Sequence, residues 1–184
     1  SPEDAEQNAE KISMICNNAI DSIFKIMDVN NVRCDENRYN LIEIMDEAAG
    51  EIFVPEGITV KKDYSDSEVW IYCDNRLIKE VFKNILRNAI EAIQIADRTD
   101  GEIVLKQICE ERYVSVNITD NGCGVREPAK VFRLLYTTKS RNKNWGMGMY
   151  YCKKIIHEHF GSIEIKNAKP KGAVVNITLL KLGD

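Results

Sequence analysis

Asn84 and Asn88 stand four residues apart, the spacing that places two side chains on one face of an α-helix, one turn above the other. Each amide offers an oxygen acceptor and an NH2 donor, so the pair can reach a common ligand or cation. Two solvated amides would share that spacing, but Asn88 lies between Leu86 and Ala89-Ile90, in the most apolar part of its segment. Further on, Asp120-Asn121-Gly122-Cys123-Gly124 comes directly off an alternating apolar run. It supplies a carboxylate and two glycines that let backbone approach a flat ligand, although a plain turn would read the same way. Gly146-Met147-Gly148 opens a helical pattern, and unpaired N–H groups and the positive end of the dipole attract phosphate there. Taken singly, none of the three clusters identifies a function.

The elements that must position them follow from periodicity. Residues 3 to 29 repeat apolar side chains at Ile12, Ile15, Cys16, Ala19, Ile20, Ile23, Phe24, Ile26 and Met27, which predicts one long helix with a broad apolar face. A second helix is predicted from Tyr39 to Phe53, stopped by Pro55 and Gly57. Residues 58–64 and 68–72 are β-rich and separated by Ser65-Asp66-Ser67, a hairpin-like signal. Asp74 is placed as the N-cap of a third helix running to about Ile95 and carrying both Asn residues. Strands are predicted from Glu102 to Glu110 and from Arg112 to Thr119, followed by a long irregular stretch to Trp145 that contains the basic run 139–144. A helix from Met147 to Phe160 and strands over 162–167 and 172–180 close the chain.

Composition narrows the classes of function. The chain has 184 residues, with 25 Lys and Arg against 29 Asp and Glu, a net charge of −4. A mildly acidic chain makes no general electrostatic bid for nucleic acid or anionic lipid. No apolar run reaches the ~18 residues of a membrane span, and the sequence starts without a signal-peptide pattern, so a cytoplasmic domain is expected. The six cysteines show no metal-ligand spacing and read as reduced, mostly buried thiols.

The order of these features strongly resembles the ATP-binding domain of the GHKL superfamily, which holds sensor histidine kinases, gyrase, Hsp-type chaperone and mismatch-repair ATPases, and anti-sigma-factor kinases. Sensor histidine kinases are the nearest in pattern, over roughly residues 36 to 182. Residues 84–92 look like their N box and Asp120 to Gly124 like their G1 box. Phe132 to Lys139 resembles the F box, and Trp145 to Met149 the G2 box.

The resemblance implies an α/β (α+β) two-layer sandwich, its mixed sheet covered on one face by helices. Residues 1–35 would be a helical segment like the second helix of a dimerisation hairpin, and 36–184 the ATP-binding catalytic domain. Asp120 would accept the adenine amino group, with Gly122 and Gly124 letting the base lie against the loop. Asn88 would hold Mg²⁺, with Asn84 as its helper. Lys139, the N–H groups of Gly146 and Gly148, and Arg87 would neutralise the phosphates. Three departures stand out: Asn144-Trp145 where many members have Gly-Thr, Ala173 where a Thr often shares a water with the adenine-binding Asp, and His159-Phe160-Gly161 for His-Gly-Gly.

The activity implied is phosphoryl transfer from Mg²⁺·ATP to a His on a dimerisation domain, for onward passage to a response-regulator receiver domain. Such a fragment is expected to be a monomer or weak dimer, and its parent a homodimer. The only histidines are His157 and His159, two apart on one predicted helix, which read as ordinary helix residues and leave the acceptor outside this chain. An anti-sigma-factor-type serine/threonine kinase and a nucleotide-binding module without transfer are the alternatives. Clamp-type ATPases are a further option, but they use a Glu as hydrolytic base at the position where Asn84 stands.

Overall fold

The computed structural model describes residues 35–134 and 147–183. The expected helix over 3–29 lies outside them, as do the end of the F box, Lys139, Asn144, Trp145 and Gly146.

Strand β1 (Asn37–Asn40) leads directly into helix α1 (Leu41–Glu51), then come β2 (Ile58–Tyr64), β3 (Trp70–Cys73) and the long helix α2 (Asn75–Ile95). Strands β4 (Gly101–Cys109) and β5 (Tyr113–Asp120), a single 3-10 turn at Pro128–Lys130, helix α3 (Gly148–Glu158), and strands β6 (Ser162–Asn167) and β7 (Ala173–Leu180) complete the order. Asn40 caps α1, its side chain accepting from the Ile42 N–H at 3.1 Å and also from Val69 at 3.1 Å. Asp74 caps α2 as its position predicts, accepting from the Leu77 N–H at 3.2 Å, one of the donors that a helix start leaves without an internal partner.

Five strands form one mixed sheet in the order β2-β4-β5-β7-β6. Only β2 and β4 run parallel, joined through α2, as a parallel pair requires a crossover. Alternation then sorts the sheet's two faces. Ile103 and Leu105 of β4, Val114, Val116 and Ile118 of β5, and Val175, Ile177 and Leu179 of β7 are buried. They pack with the buried stripe of α2, which includes Val81, Phe82, Leu86 and Ile93, and with Ile155 and Ile156 of α3. The opposite face carries polar pairs such as Asn176 with Asn117. This is the expected two-layer sandwich.

The expected hairpin between residues 58–64 and 68–72 does not exist. β2 pairs with β4 instead, and β3 pairs antiparallel with β1 in a separate two-stranded sheet. The second predicted helix also begins two residues late, because Tyr39 and Asn40 belong to β1. Among the described cysteines all four are free; Cys73 and Cys152 are buried, Cys109 is half-buried and Cys123 exposed. No described helix is long and apolar enough to cross a membrane.

Candidate functional site

The inward face of β5 carries Val114, Val116, Ile118 and, at its last position, Asp120. The period of two that buries the valines therefore also turns this carboxylate toward the helices, where it is 7% exposed. Its Oδ1 accepts from the N–H of Gly122 at 2.8 Å and from the N–H of Ala173 at 3.3 Å. Both bonds fall on one oxygen, and among the described residues Oδ2 takes none. Burial pushes the Asp120 carboxyl above the ordinary carboxylate range, and the two N–H groups partly oppose that rise.

Backbone contacts fix the loop that follows. The Asn121 side chain donates to the Asp100 carbonyl at 2.8 Å and accepts from the Glu102 N–H at 2.9 Å, tying the loop to the start of β4. Cys123 donates its N–H to the carbonyl of Ala92, on α2, at 3.0 Å. Gly122 is pressed against that same turn of helix, so that a Cβ there would lie 2.5 Å from the Ala92 carbonyl carbon and 2.7 Å from its oxygen. The first glycine of the loop thus serves a close approach of loop and helix backbone. Gly172, at φ +102°, closes the other side, where a Cβ would meet the Asp120 carbonyl oxygen at 1.8 Å.

The other glycine cluster meets the same helix lower down. Gly148, the first residue of α3, faces the Asn84 side chain, and a Cβ on it would stand 3.5 Å from Asn84 Oδ1. The Nδ2 of Asn84 is buried and has no hydrogen-bond partner among the described residues. α3 has no side-chain cap, its cap residue being Met147, so the donors of its first turn have no partner within the helix. Asn84, Asn88 and Ala92 lie one turn apart in succession, and eight residues of α-helix measure about 12 Å. One helix face therefore joins the carboxylate-and-glycine loop, at Ala92, to the amide-and-helix-start cluster, at Asn84, with Asn88 half-buried between them.

The structure thus brings together Asp120, Gly122, Gly124, Asn84, Asn88 and Gly148, while Arg87 is exposed on the neighbouring face of α2. Sequence reasoning missed the tying role of Asn121, Gly172 and the backbone of Ala92. Gly172 had a signal, a glycine immediately before an alternating strand, but Ala92 has none, since its part is played by a carbonyl.

Residues 73–183 match the family model described as histidine kinase-, DNA gyrase B-, and HSP90-like ATPase. Sporulation kinase E of Bacillus subtilis is 36% identical over 125 residues, covering 66% of this chain and 16% of that protein. The chain spans between 16% and 35% of the length of the first curated relatives it matches. Among solved structures, the nucleotide-free catalytic domain of histidine kinase ThkA is 25% identical, with a TM-score of 0.70 over 80% of this chain and 96% of that one. ThkA in complex with the response regulator protein TrrA shares the fold at 22% identity, with a TM-score of 0.77 over 99% of this chain and 53% of that one. The matched span runs from just before the cap of α2 to beyond β7, the same elements that assemble the site. The chain therefore belongs to the histidine kinase-, DNA gyrase B- and HSP90-like ATPase family, as an ATP-binding domain of the sensor histidine kinase type.

Proposed function

We propose that this domain binds Mg²⁺·ATP along α2 and transfers the γ-phosphoryl group to a histidine on a dimerisation domain, from which it passes to an aspartate of a response regulator. The observation that carries the reading is the placement of two unlike ends on one helix face. The Asp120 loop presents an acceptor suited to an amino group, and Gly148 opens a helix beside the Asn84 side chain, whose amide oxygen faces it. The first-turn N–H groups of that helix have no partner within it, and phosphate oxygens would satisfy them.

In this reading Asp120 accepts the adenine amino group, and Gly122 and Gly124 keep the loop low enough for the base to lie against it. The Gly148 N–H, with Gly146, Lys139 and Arg87, receives the phosphates. Asn88 would contribute an amide oxygen to Mg²⁺, which when bound would neutralise phosphate charge. Transfer needs little covalent help from the protein: the acceptor nitrogen attacks the γ-phosphorus, the bond to the ADP oxygen breaks, and alignment and charge neutralisation lower the barrier.

Neither histidine of this chain suits the acceptor role. His159 is 5% exposed, and both ring nitrogens are engaged, Nε2 accepting from the Asp74 N–H at 3.0 Å and Nδ1 lying 2.7 Å from the Ile155 carbonyl. His157 is nine residues along α3 from Gly148, about 14 Å from the helix start. The test is calorimetry with Mg²⁺·ATP, followed by incubation of the chain with γ-labelled ATP and a separate phosphoacceptor hairpin. Acid-labile label should appear on the hairpin alone. No nucleotide binding would refute the whole reading, and label on His157 would refute the acceptor assignment.

A further inference from the structure

The loop from Asp120 to Val125 is gripped at both ends by a single turn of chain, the connection between β6 and β7. At its first residue, Gly172 packs on the Asp120 carbonyl and the Ala173 N–H reaches the Asp120 carboxylate. At its last, the Asn167 side chain makes two hydrogen bonds with one residue: Oδ1 accepts from the Val125 N–H at 2.7 Å and Nδ2 donates to the Val125 carbonyl at 3.0 Å. That reciprocal pair copies one rung of an antiparallel ladder with a side chain in place of a strand. Asn167 stands opposite Ala173 in the register of β6 and β7, and the turn is closed by the Ala168 N–H on the Gly172 carbonyl at 2.9 Å. Between the two grips lies Gly124 at φ +76°, where a Cβ would stand 2.9 Å from Asn167 Oδ1.

Of this clamp, only the Asn167 arm is made by an exposed side chain that the core does not require. We propose that Asn167 is a positioning residue for base selection: by fixing Val125 it holds the Gly122–Gly124 segment against α2 and keeps the Asp120 carboxylate aimed at an incoming amino group. The proposal rests on the ATP reading above. Adenine carries an amino donor where guanine carries a carbonyl acceptor, so a correctly aimed carboxylate discriminates between them and a loosened one does so less.

The experiment measures affinities for ATP and, by displacement, for GTP in the wild-type chain and in Asn167→Ala and Asn167→Asp, with a melting curve for each. Asn167→Asp keeps the acceptor for the Val125 N–H but sets a second oxygen against the Val125 carbonyl. Both variants should bind ATP about tenfold more weakly, the scale of a lost hydrogen bond or two. GTP affinity should change little, so the ATP to GTP ratio narrows by about the same factor. A merely structural turn would lower the melting temperature and leave that ratio alone, and this outcome overturns the proposal. So does loss of cooperative melting in both variants, because the residue would then be holding up the sheet. A wild-type chain that binds neither nucleotide refutes the ATP reading itself, whereas wild-type binding with unchanged selectivity in the variants removes only the role of Asn167.

Discussion

Replacing Gly122 with Ala puts the close approach of loop and helix to a direct test. The added Cβ would lie 2.5 Å from one backbone atom of Ala92 and 2.7 Å from the backbone of Ile93, whereas carbon atoms rest at roughly 3.5–4.0 Å. Nothing flexible can swing aside, so loop and helix must part by about 1 Å. Helix α2 is held by buried Phe82, Leu86 and Ile93, and the loop must therefore be the part that moves. Overpacking of this kind costs about 1–3 kcal/mol, and the 3.0 Å bond from Cys123 to Ala92 is lost for roughly 1 kcal/mol more. The loop carries the N–H that fixes the Asp120 carboxylate, so ATP affinity should fall by about thirtyfold or more. Calorimetric titration reads that fall, and Gly50→Ala serves as the control. Nothing lies within 4 Å of a Cβ at Gly50, so that helical substitution should stabilise by about 0.5–1 kcal/mol and spare binding. Wild-type ATP affinity in Gly122→Ala would refute the claim that the loop must sit this close.

Asp120→Asn should weaken ATP binding by one to two orders of magnitude, since a hydrogen bond to a charged acceptor is worth about 1.5–3 kcal/mol. Because burial raises this carboxyl in the folded chain, it takes up its proton before ordinary carboxylates as pH falls. Wild-type affinity should accordingly decline above the usual carboxylate range, and a titration of Asp120→Asn should lack that acid limb. Asn88→Ala should abolish the Mg²⁺ dependence of ATP binding; retained dependence would remove Asn88 from the metal. His159→Ala strips the buried Asp74 N–H of its acceptor and should lower stability by at least 1–3 kcal/mol, read by denaturant melting. Hydrogen bonds from Lys79 and Lys83 depress the Glu51 carboxyl to about 2. A lowered carboxyl stabilises above its unfolded value of about 4.3 and loses that contribution as pH falls through the folded one. Glu51→Gln should thus melt below wild type at neutral pH in low salt, and the two curves should converge toward pH 2.

The parts of the fold legible in the sequence are those whose signals are local. The 3.6-residue stripe from Leu77 to Ile93 and the Asp74 cap give α2 within a residue, and alternation from Val114 to Ile118 carries Asp120 to the correct face. The pairing of β2 was misread because nothing in residues 58–64 distinguishes a hairpin partner from one 43 residues further along the chain; that choice is made by the crossover of α2. Strand β1 was missed for a different reason. Its sequence, Asn-Arg-Tyr-Asn, has no apolar alternation, and it is a strand because β3 lies beside it. Asn167 was invisible on similar grounds, since its two bonds go to a backbone 42 residues away.

Helix polarity explains why the proposed ligand can bind in only one direction. The base end of the site lies on the last turns of α2, where the Ala92 carbonyl already receives both the Ala96 N–H at 3.1 Å and the Cys123 N–H at 3.0 Å. That end of a helix is negative, and it lies beside the Asp120 carboxylate, so it favours amino donors and repels phosphate. The opposite end lies at the start of α3, where first-turn N–H groups without a partner inside the helix and a positive dipole lie beside the Asn84 side chain. A nucleotide laid with its phosphates toward Ala92 would set anion against carbonyl and carboxylate at one end and leave every donor unused at the other. Reversal therefore fails at both ends of the roughly 12 Å that separate Asn84 from Ala92. In the proposed mode the direction of binding follows from which helix ends and which begins there, and the Asp120 carboxylate adds to the same preference.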